Sequence, residues 1–504
     1  MSGFRGLPLL VMADSYKPSH SLLFPDSVKS VAYGEFRKSY DNDKEDTRVL
    51  FCGIRYIIEN YIAIKWTQKD VDLAEKFFST HNAGFTPFPF PKDLFLKFIK
   101  ENDGYFPVKI EALPEGTSCH VHTPVFQITA EKEYSSLVTF LETQLTMVWY
   151  PTTVATLSRR ARDRIEKAYQ ETVDDDGYWS LESRLHDFGF RGTTCIEQSI
   201  IGGSAHLLNF SGTDTMSAAY YVQFALNNGN PIATSIPATE HSIMTAYKSE
   251  REAMLREINQ YGSGAYSCVM DSYDYSNALN KILPSISKQK IEKGGFMVLR
   301  PDSGDPVEAV LMALKAADEV FGSDVNKKGY KLLRGAGVIQ GDAITISSLE
   351  KILKAIKEAG YSAQNVAYGM GGGLLQKLNR DTMSFATKLS HLTYSDGVAR
   401  DIMKTPKSDT GKISLPGEFG VIKNKEGVPI VHPKENCLEN DPKNLLKVVY
   451  DHGKVCEWED FDTIRKRIAK EWPSLPPTYD NISPELKVKI EKVVQEIKER
   501  QKNS

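Results

Sequence analysis

Apolar and polar residues alternate in blocks through the middle of the chain, roughly residues 180–390. One unit recurs there: an apolar run of β type, a short polar or glycine-rich loop, and then apolar residues at helical spacing. Seven or so such units in series predict parallel strands joined by helices. They would either close into a barrel or open into a doubly wound sheet, and in both folds the loops after the strands carry the site. The β-type runs are SRLHDF, HLLNF, PIATSIP, AYSCVM, FMVLRP, GVIQGD and NVAYGM.

Capping residues mark the predicted helix boundaries in this region. Asp305 and Pro306 have the residue types of an N-cap and a first helical position. Ser347 and Glu350 predict a capping box, and Gly360 predicts the end of the same helix. Further helices are predicted at Ile196–Leu208 and, as one long stretch, from about Ser242.

The two ends of the chain have a different pattern. Residues 1–150 alternate short β runs with one or two helices, and the segment from about 400 to 480 has turn-rich β runs. The last twenty residues predict a charged amphipathic helix. We therefore predict an α/β fold in which 151–390 form the barrel or sheet domain, and 1–150 with 390–504 form an added α+β domain assembled from both ends.

Composition excludes several classes of protein. A chain of 504 residues is too long for one hydrophobic core, and 41% hydrophobic with 25% charged residues is typical of globular proteins. A net charge of −3 gives no basis for nucleic-acid binding. The apolar stretch Leu7–Met12 is too short to span a membrane. Six scattered cysteines without a CxxC pair predict reduced, mostly buried thiols in a cytoplasmic protein.

Three consecutive glycines lie between a predicted strand and a predicted helix in GMGGGLLQKLNRD. Gly371, Gly372 and Gly373 could present backbone N–H groups to a phosphate, with Lys377 and Arg380 about two turns further on. The alternative is a plain tight turn. The spacing fits neither the dinucleotide fingerprint GxGxxG nor a P-loop.

Other loops after predicted strands carry single candidate side chains. Arg300 and Asp302 in RPDSGDP could bind an amide, a phosphate, ribose or magnesium, or could form only an internal ion pair. Phe188 in HDFGFRG could stack on a planar ring, although a phenylalanine after a strand is more often core. Asp214 in GTDT could equally be a helix N-cap. His241 in PATEH could shuttle a proton or accept a phosphoryl group, a role few histidines have.

The segment ADSYKPSH near the amino terminus combines Asp14 and Tyr16 with Lys17 and His20. Polar residues in this position are typical of a mobile chain end.

Taken together, these segments resemble the nicotinamide phosphoribosyltransferase family, one of the type II phosphoribosyltransferases, which also include the nicotinate and quinolinate enzymes. The resemblance runs over most of the chain and in order, so it is specific. It rests on DSYK, WYPTTVAT, LHDFGFRG, GSAHLLNFSGTDT, PATEHS, DSYD, RPDSGDP, GYKLL, VIQGD, YGMGGGLLQKLNRD and GKISL.

The resemblance implies the irregular α/β barrel of the type II phosphoribosyltransferases, in a homodimer with two sites at the subunit interface. Phe188 of one subunit and Tyr16 of the other would enclose the nicotinamide ring. Asp214 would accept a hydrogen bond from the amide, and Arg300 would lie against the carboxamide. The other implied substrate contacts are Asp14, Arg191, Ser235, Ser267 and Asp271.

The resemblance also implies how phosphoribosyl pyrophosphate is bound. Asp302 would act on the ribose and could hold magnesium, and His241 would be phosphorylated when ATP, the coupling co-substrate, is hydrolysed. The remaining implied contacts are Gly341 and Asp342 for ribose, Gly371, Gly372 and Arg380 for the 5′-phosphate, and Arg37, Lys388 and Lys404 or Lys412 for pyrophosphate or ATP.

Three other functions are less consistent with the sequence. A nicotinate phosphoribosyltransferase is disfavoured because the carboxylate of Asp214 would repel nicotinate. A non-catalytic binding or signalling homologue would be expected to lack site residues, yet His241, Arg300 and Asp302 are present. A dinucleotide-dependent oxidoreductase lacks its fingerprint.

Overall fold

The computed structural model describes residues 7–405, 413–438 and 441–503. They fall into two compact units: a two-ended unit of Met1–Thr156 with Asn379–Ser504, and a central unit of Leu157–Leu378. The predicted boundary at 390 lies too late in the chain. The strand Phe385–Tyr394 pairs with Ser27–Phe36 in the sheet of the two-ended unit, so the central unit ends before it.

The central unit contains a sheet of five parallel strands with helices between them. Backbone bridges, also parallel, continue from one edge of this sheet to the other and close it into an irregular barrel. The predicted barrel is confirmed. Five of its seven strand positions are strands, and at the other two the chain makes only isolated backbone bridges. In sheet order the strands are Leu185–Asp187, Val366–Met370, Ala336–Gln340, Phe296–Arg300 and Ala265–Val269. The closing bridges are Asp187–Thr213, Gly212–Thr234 and Ala238–Ser267.

Several predicted boundaries in the central unit are confirmed. The side chain of Asp305 accepts the N–H groups of Val307 and Glu308, both at 3.0 Å, ahead of a helix that begins at Pro306. Gly360 follows the next helix with a φ of +80°, a conformation that favours glycine. The α-helices are Ile196–Leu207, Met216–Tyr221, His241–Ala246, Glu250–Tyr261, Tyr275–Asn277, Leu283–Lys293, Pro306–Phe321, Ile346–Glu358 and Gly372–Leu375, preceded by Trp149–Thr172, which enters from the two-ended unit.

Three details of the central unit were predicted wrongly. The run HLLNF is the end of the helix Ile196–Leu207 rather than a strand, because a short buried apolar run has no period that separates the two. The helix from Ser242 is two helices, separated at residues 247–249. The capping box is formed by Thr345 and Ser348 instead of Ser347 and Glu350, with Ser348 Oγ accepting the Thr345 N–H at 2.8 Å.

The two-ended unit is built on a seven-stranded antiparallel sheet in which three amino-terminal strands form the centre and two carboxyl-terminal strands flank them on each side. Its amino-terminal part has more helices than the one or two predicted. The sheet order is Ala399–Asp401, Phe385–Tyr394, Ser27–Phe36, Pro124–Glu131, Val108–Ala112, Lys447–Asp451 and Lys454–Val455, with separate pairs Arg48–Phe51/Thr117–His120 and Phe419–Lys423/Pro429–Pro433. The α-helices are Tyr16–Leu23, Ile54–Ile57, Gln68–Phe78, Lys92–Glu101, Glu142–Thr146, Phe461–Glu471 and Pro484–Asn503.

An aromatic cluster lies in the core of the two-ended unit. The ring of Trp66 packs against Phe95, Phe98, Phe106 and Phe140 at centroid distances between 5.5 and 5.8 Å. Such ring pairs add to the stabilisation from burial alone. This core fixes the sheet from which the basic residues described below project.

The six cysteines are free thiols, but only Cys52, Cys119 and Cys268 are buried. Among the described residues, no helix is both long and apolar enough to cross a membrane.

Candidate active site

The ring of Phe188 lies on a platform of glycine backbone at the carboxyl end of the barrel strands. A Cβ atom added at Gly369 would lie 2.1 Å from Cδ2 and Cε2 of this ring, and one added at Gly341 would lie 2.9 Å from Cε2. Both glycines come at or just after a strand, Gly369 in Val366–Met370 and Gly341 after Ala336–Gln340. Phe188 is therefore held by close backbone approach, and it is only partly buried.

Arg300 connects the aromatic ring to an acidic group. Its guanidinium carbon lies 5.6 Å from the centroid of the Phe188 ring, and its Nη2 lies 3.1 Å from Oδ2 of Asp302. The Nε atom of Arg300 is buried and has no hydrogen-bond partner in the described structure. The internal ion pair considered from sequence exists, but it leaves part of the guanidinium for a ligand.

Asp214 follows one of the closing bridges of the barrel and its side chain is 48% exposed. The hydroxyl of Ser235 donates to its Oδ1 at 2.7 Å, and Nδ1 of His186 lies 3.8 Å from the same oxygen. Burial opposes ionisation of Asp214, but the contacts with His186 and Ser235 outweigh it and lower the pKa of the carboxyl. Asp214 is thus an ionised acceptor whose Oδ2 is left to a ligand.

His241 begins a short helix and is held by two carboxylates. Its Nε2 lies 3.2 Å from Oδ1 of Asp271, and its Nδ1 lies 3.9 Å from Oδ2 of Asp302. The other carboxylate oxygen of Asp271 accepts the backbone N–H of Asp302 at 3.0 Å and the hydroxyl of Ser303 at 2.5 Å. The imidazole is about half exposed, so its ring is both oriented and accessible.

These side chains surround one cavity of about 570 Å³, which opens at the carboxyl ends of the barrel strands. Asp187 forms part of its floor and is fully buried; burial raises the pKa of this carboxyl to about 6, although the Gly189 N–H stabilises its ionised form. Of the four carboxyl groups that line the cavity, the pKa of Asp214 is thus lowered and that of Asp187 is raised. Its lining is Asp187, Phe188, Phe190, Arg191, Asp214, Thr215, Ala238, Thr239, Glu240, His241, Ser242, Arg300 and Asp302.

The glycine-rich loop lies beside this cavity, but its helix is shorter than predicted. Gly371 precedes the helix Gly372–Leu375, and a Cβ at Gly371 would come within 3.3 Å of the carbonyl oxygen of Phe188. Arg380 is not on this helix, which ends five residues earlier; Arg380 belongs to the two-ended unit and is exposed beside Asp381.

Tyr16 and Asp14 lie in the two-ended unit and are firmly anchored there. Lys17 is buried and pairs with Glu142. The backbone N–H of Asp14 donates to the Thr143 hydroxyl at 3.3 Å, and that hydroxyl donates back to Oδ2 of Asp14 at 3.0 Å. The side chain of Tyr16 remains 54% exposed. This segment is therefore held in place, unlike a typical chain end.

A basic cluster, defined as Arg37, Lys388 and Lys404, lies on the sheet of the two-ended unit. Burial lowers the pKa of the Lys388 ammonium, and the positive charges of Arg37 and Lys404 lower it further. Nε of Arg37 is buried without a hydrogen-bond partner in the described chain. Mutual repulsion of this kind favours binding of a polyanion. Lys412, the fourth predicted member, lies outside the described residues.

Comparison with known proteins bears on both units. Residues 183–454, more than half of the chain, match the nicotinate phosphoribosyltransferase (NAPRTase) family, and residues 8–110 match the nicotinamide phosphoribosyltransferase N-terminal domain. A nicotinamide phosphoribosyltransferase of Xanthomonas campestris is 39% identical over 83% of this chain and 88% of its own length. The chain belongs to the nicotinamide phosphoribosyltransferase family. It is accordingly a pentosyltransferase.

More distant relatives of the family share the same organisation. A nicotinamide phosphoribosyltransferase of Acinetobacter baylyi is 28% identical over 94% of this chain and 99% of its own length. The solved structure of human nicotinic acid phosphoribosyltransferase has a TM-score of 0.65 at 16% identity, covering 95% of this chain and 99% of its own. Nicotinate-nucleotide pyrophosphorylase from Pyrococcus furiosus has a TM-score of 0.59 at 14% identity, with 94% and 99% covered. These two structures show the type II phosphoribosyltransferase fold.

In the central unit, most of the site residues that were predicted from the sequence lie in or next to the cavity. Arg191 lines the cavity and is exposed. Ser267 is buried in its strand, and its hydroxyl has no partner in the described structure. Asp342 is exposed and follows Gly341. Sequence reasoning missed Gly369 and His186; the glycine in the strand NVAYGM was the available signal for the first.

A metal site is only weakly supported by the protein alone. In the described parts of the chain, no group of three or more histidine, cysteine, aspartate or glutamate side chains is arranged to hold a metal. Asp302, the predicted magnesium ligand, is already paired with Arg300. A single carboxylate fits magnesium only if substrate phosphates supply the other ligands, which is common for this ion.

Proposed function

We propose that this protein joins nicotinamide to phosphoribosyl pyrophosphate and releases nicotinamide mononucleotide and pyrophosphate, a step of NAD biosynthesis. The observation that carries the proposal is the arrangement of Phe188, Asp214 and Arg300 around one cavity. It combines a flat apolar face, an ionised acceptor and a cation. The relatives named as nicotinamide phosphoribosyltransferases support the same substrate.

Nicotinamide fits this arrangement through both its ring and its amide. The pyridine ring stacks on Phe188, which leaves the ring nitrogen free to react. The amide N–H₂ donates to Oδ2 of Asp214, a charge-assisted bond worth about 1.5–3 kcal/mol. Nicotinate has no N–H to donate, and its carboxylate is repelled by Asp214. Ser235 holds Asp214 through Oδ1, and the free hydroxyl of Ser267 supplies a further polar contact.

The reaction requires positioning more than covalent chemistry from the protein. Displacement at the anomeric carbon builds positive charge on the ribose, as in glycoside cleavage. The pyridine nitrogen attacks this carbon, the bond to pyrophosphate oxygen breaks, and pyrophosphate leaves with the electron pair. Asp302 binds the ribose and its negative charge favours the cationic transition state. Gly341 and Asp342 complete the ribose contacts.

Three groups of residues serve the phosphates in this proposal. The N–H groups at Gly371 and Gly372 bind the 5′-phosphate, a role that the family resemblance also gives to Arg380. The basic cluster binds pyrophosphate or ATP, and Lys412 is proposed to join it. Asp302, together with the substrate phosphates, would hold magnesium, which would supply positive charge to the leaving group.

We further propose that His241 accepts a phosphoryl group from ATP. With its proton on Nε2, His241 donates a hydrogen bond to Asp271, and the lone pair of Nδ1 is the nucleophile. Nδ1 attacks the γ-phosphorus, the bond from that phosphorus to the bridging oxygen breaks, and ADP leaves. Hydrolysis of the phosphohistidine then supplies the free energy that draws the synthesis forward.

The proposed assembly is a homodimer with shared sites, in the cytoplasm. Its support is the exposure of Tyr16 on a well-anchored segment, which suits an aromatic ring offered to a second subunit. Tyr16 of the partner subunit would cover the face of nicotinamide opposite Phe188. A symmetric dimer then forms two equivalent sites.

The test is incubation with labelled nicotinamide or labelled nicotinate, each with phosphoribosyl pyrophosphate, with and without ATP. We expect mononucleotide from nicotinamide in preference to nicotinate, and stimulation by ATP. Asp214→Ser should weaken the use of nicotinamide and reduce the preference. His241→Ala should abolish ATP stimulation and any acid-labile phosphoenzyme while slow synthesis continues. Preference for nicotinate in the wild-type protein would refute the substrate assignment, and phosphohistidine in His241→Ala would refute the acceptor.

A further inference from the structure

His186 lies under the predicted amide-binding carboxylate with one ring nitrogen unused. It belongs to the strand Leu185–Asp187, and its side chain is 12% exposed. Nε2 lies 3.1 Å from the carbonyl oxygen of Ser183. A carbonyl oxygen only accepts, so the proton of the neutral imidazole is on Nε2.

The second nitrogen of His186 faces Asp214. Nδ1 is buried and lies 3.8 Å from Oδ1 of Asp214, beyond hydrogen-bond distance, so His186 lowers the pKa of Asp214 as a close neighbour and not through a formed hydrogen bond. In the neutral ring this nitrogen carries a lone pair, so two acceptors face each other. A second proton on the ring would turn the same approach into a charge-assisted contact between imidazolium and carboxylate.

We propose that His186 is a positioning residue that sets the selectivity between amide and carboxylate substrates through its contact with Asp214. This inference rests on the proposed function. When the ring is neutral, Asp214 keeps its full negative charge, accepts strongly from an amide and repels a carboxylate. When the ring is protonated, the charge of Asp214 is compensated, and both effects weaken. Preference for nicotinamide over nicotinate therefore falls as the pH is lowered.

The charged surroundings of His186 are compatible with this switch. Asp187, on its own strand, and Asp214 are the acidic groups that interact with the imidazole. Arg300 acts on Asp214 from a different strand, and its charge does not change with pH. Ser235 binds Oδ1 in either state because its hydroxyl does not titrate in this range. Of these neighbours, Asp187 is the one that also titrates near pH 6.

The backbone at Gly212 packs against the imidazole of His186 and limits its position. A Cβ atom added at Gly212 would lie 2.7 Å from Cδ2 and 2.8 Å from Nε2 of His186. An alanine at this position would push the imidazole without changing its chemistry. Gly212 thus offers a second way to perturb the contact with Asp214.

The experiment measures the ratio of kcat/KM for nicotinamide to kcat/KM for nicotinate over a range of pH from about 5 to about 8. In the wild-type protein the ratio should rise about tenfold with pH, the lower end of the effect expected for an opposite charge this close. His186→Gln keeps a donor for the Ser183 carbonyl and cannot become cationic, so its ratio should stay flat and near the high-pH wild-type value. Gly212→Ala should reduce the pH dependence.

The matched control is His206→Gln. His206 is buried in the same unit, where its Nε2 contacts the carbonyl oxygens of Leu185 and Gly212 and its Nδ1 contacts the Ser158 hydroxyl. This variant should retain the wild-type slope. A flat wild-type ratio, or a wild-type slope in His186→Gln, overturns the inference. Because these outcomes require a wild-type protein that uses nicotinamide, they are distinct from failure of the proposed function, in which the wild-type protein does not prefer nicotinamide.

Discussion

Replacement of Gly369 by alanine tests whether the glycine platform sets the position of Phe188. The added Cβ would lie 2.1 Å from Cδ2 and Cε2 and 2.7 Å from Cζ of the Phe188 ring. Gly369 does not have a positive φ, so alanine is compatible with its backbone. The whole effect is therefore steric, and the ring has to leave the position in which it can stack on a substrate.

The magnitude follows from what the displaced ring loses. Stacking of a planar base on an aromatic side chain contributes about 1–3 kcal/mol. A loss of about 2 kcal/mol corresponds to a fall of roughly thirtyfold in kcat/KM for nicotinamide. Overpacking also lowers fold stability by about 1–3 kcal/mol, and this is measured separately from the melting temperature.

The assay compares kcat/KM in three alanine variants of graded severity. At Gly341 the added Cβ would lie 2.9 Å from Phe188, and at Gly372 it would lie 3.6 Å from Gln376 and would not approach the ring. We expect the largest loss for Gly369→Ala and a smaller one for Gly341→Ala. Gly372→Ala, if it affects catalysis, should do so through the phosphate and not through nicotinamide. A folded Gly369→Ala protein with wild-type kcat/KM would refute the reasoning.

The remaining predictions concern stability and assembly. Burial raises the pKa of Asp187 to about 6, so the native state binds this proton more tightly than the unfolded chain, and stability falls as pH rises from about 4 to about 6. Asp187→Asn should weaken the pH dependence of the melting temperature between about pH 4 and about pH 6. An unchanged pH dependence would contradict the raised pKa of Asp187. Asp305→Ala should lower the free energy of unfolding by about 1 kcal/mol in denaturant titration, because it removes a helix cap; Lys315→Ala on the exposed face of the same helix is the control. Subunit exchange between Tyr16→Ala and His241→Ala should restore ATP-coupled activity, whereas confirmed heterodimers without recovery would place Tyr16 in its own subunit's site.

The features that could be predicted from sequence are those with a local physical cause. Asp305 and Gly360 mark helix ends because capping geometry involves only neighbouring backbone groups. The added domain was predicted from both ends of the chain because its β runs differ in pattern from the central units. Site residues such as Phe188 and Arg300 follow strands, and parallel strands bring their carboxyl ends to one side.

The remaining features depend on contacts between distant parts of the chain. The closing positions of the barrel are single bridges: the run PIATSIP, predicted as a strand, makes only the bridge at Thr234, with a second at Ala238 just after it, and the bridge at Thr213 follows a run, HLLNF, that ends a helix. Gly369 is separated from Phe188 by most of the central unit, and nothing local shows that a ring will lie against it. The approach of His186 to Asp214 likewise depends on the orientation of the imidazole, in which Nε2 contacts the Ser183 carbonyl and Nδ1 lies towards Asp214.

One loop connects the two chemical tasks proposed for the central unit. Asp271 orients His241 with one oxygen and holds the backbone of Asp302 and the hydroxyl of Ser303 with the other. Asp302 in turn pairs with Arg300, which lies over Phe188. A phosphoryl group on His241 would add negative charge beside Asp302, and we expect the Arg300 guanidinium to respond because it is the neighbouring cation. If His241 is phosphorylated as we propose, the contacts from Asp271 through Asp302 to Arg300 are the route by which ATP use would influence substrate binding.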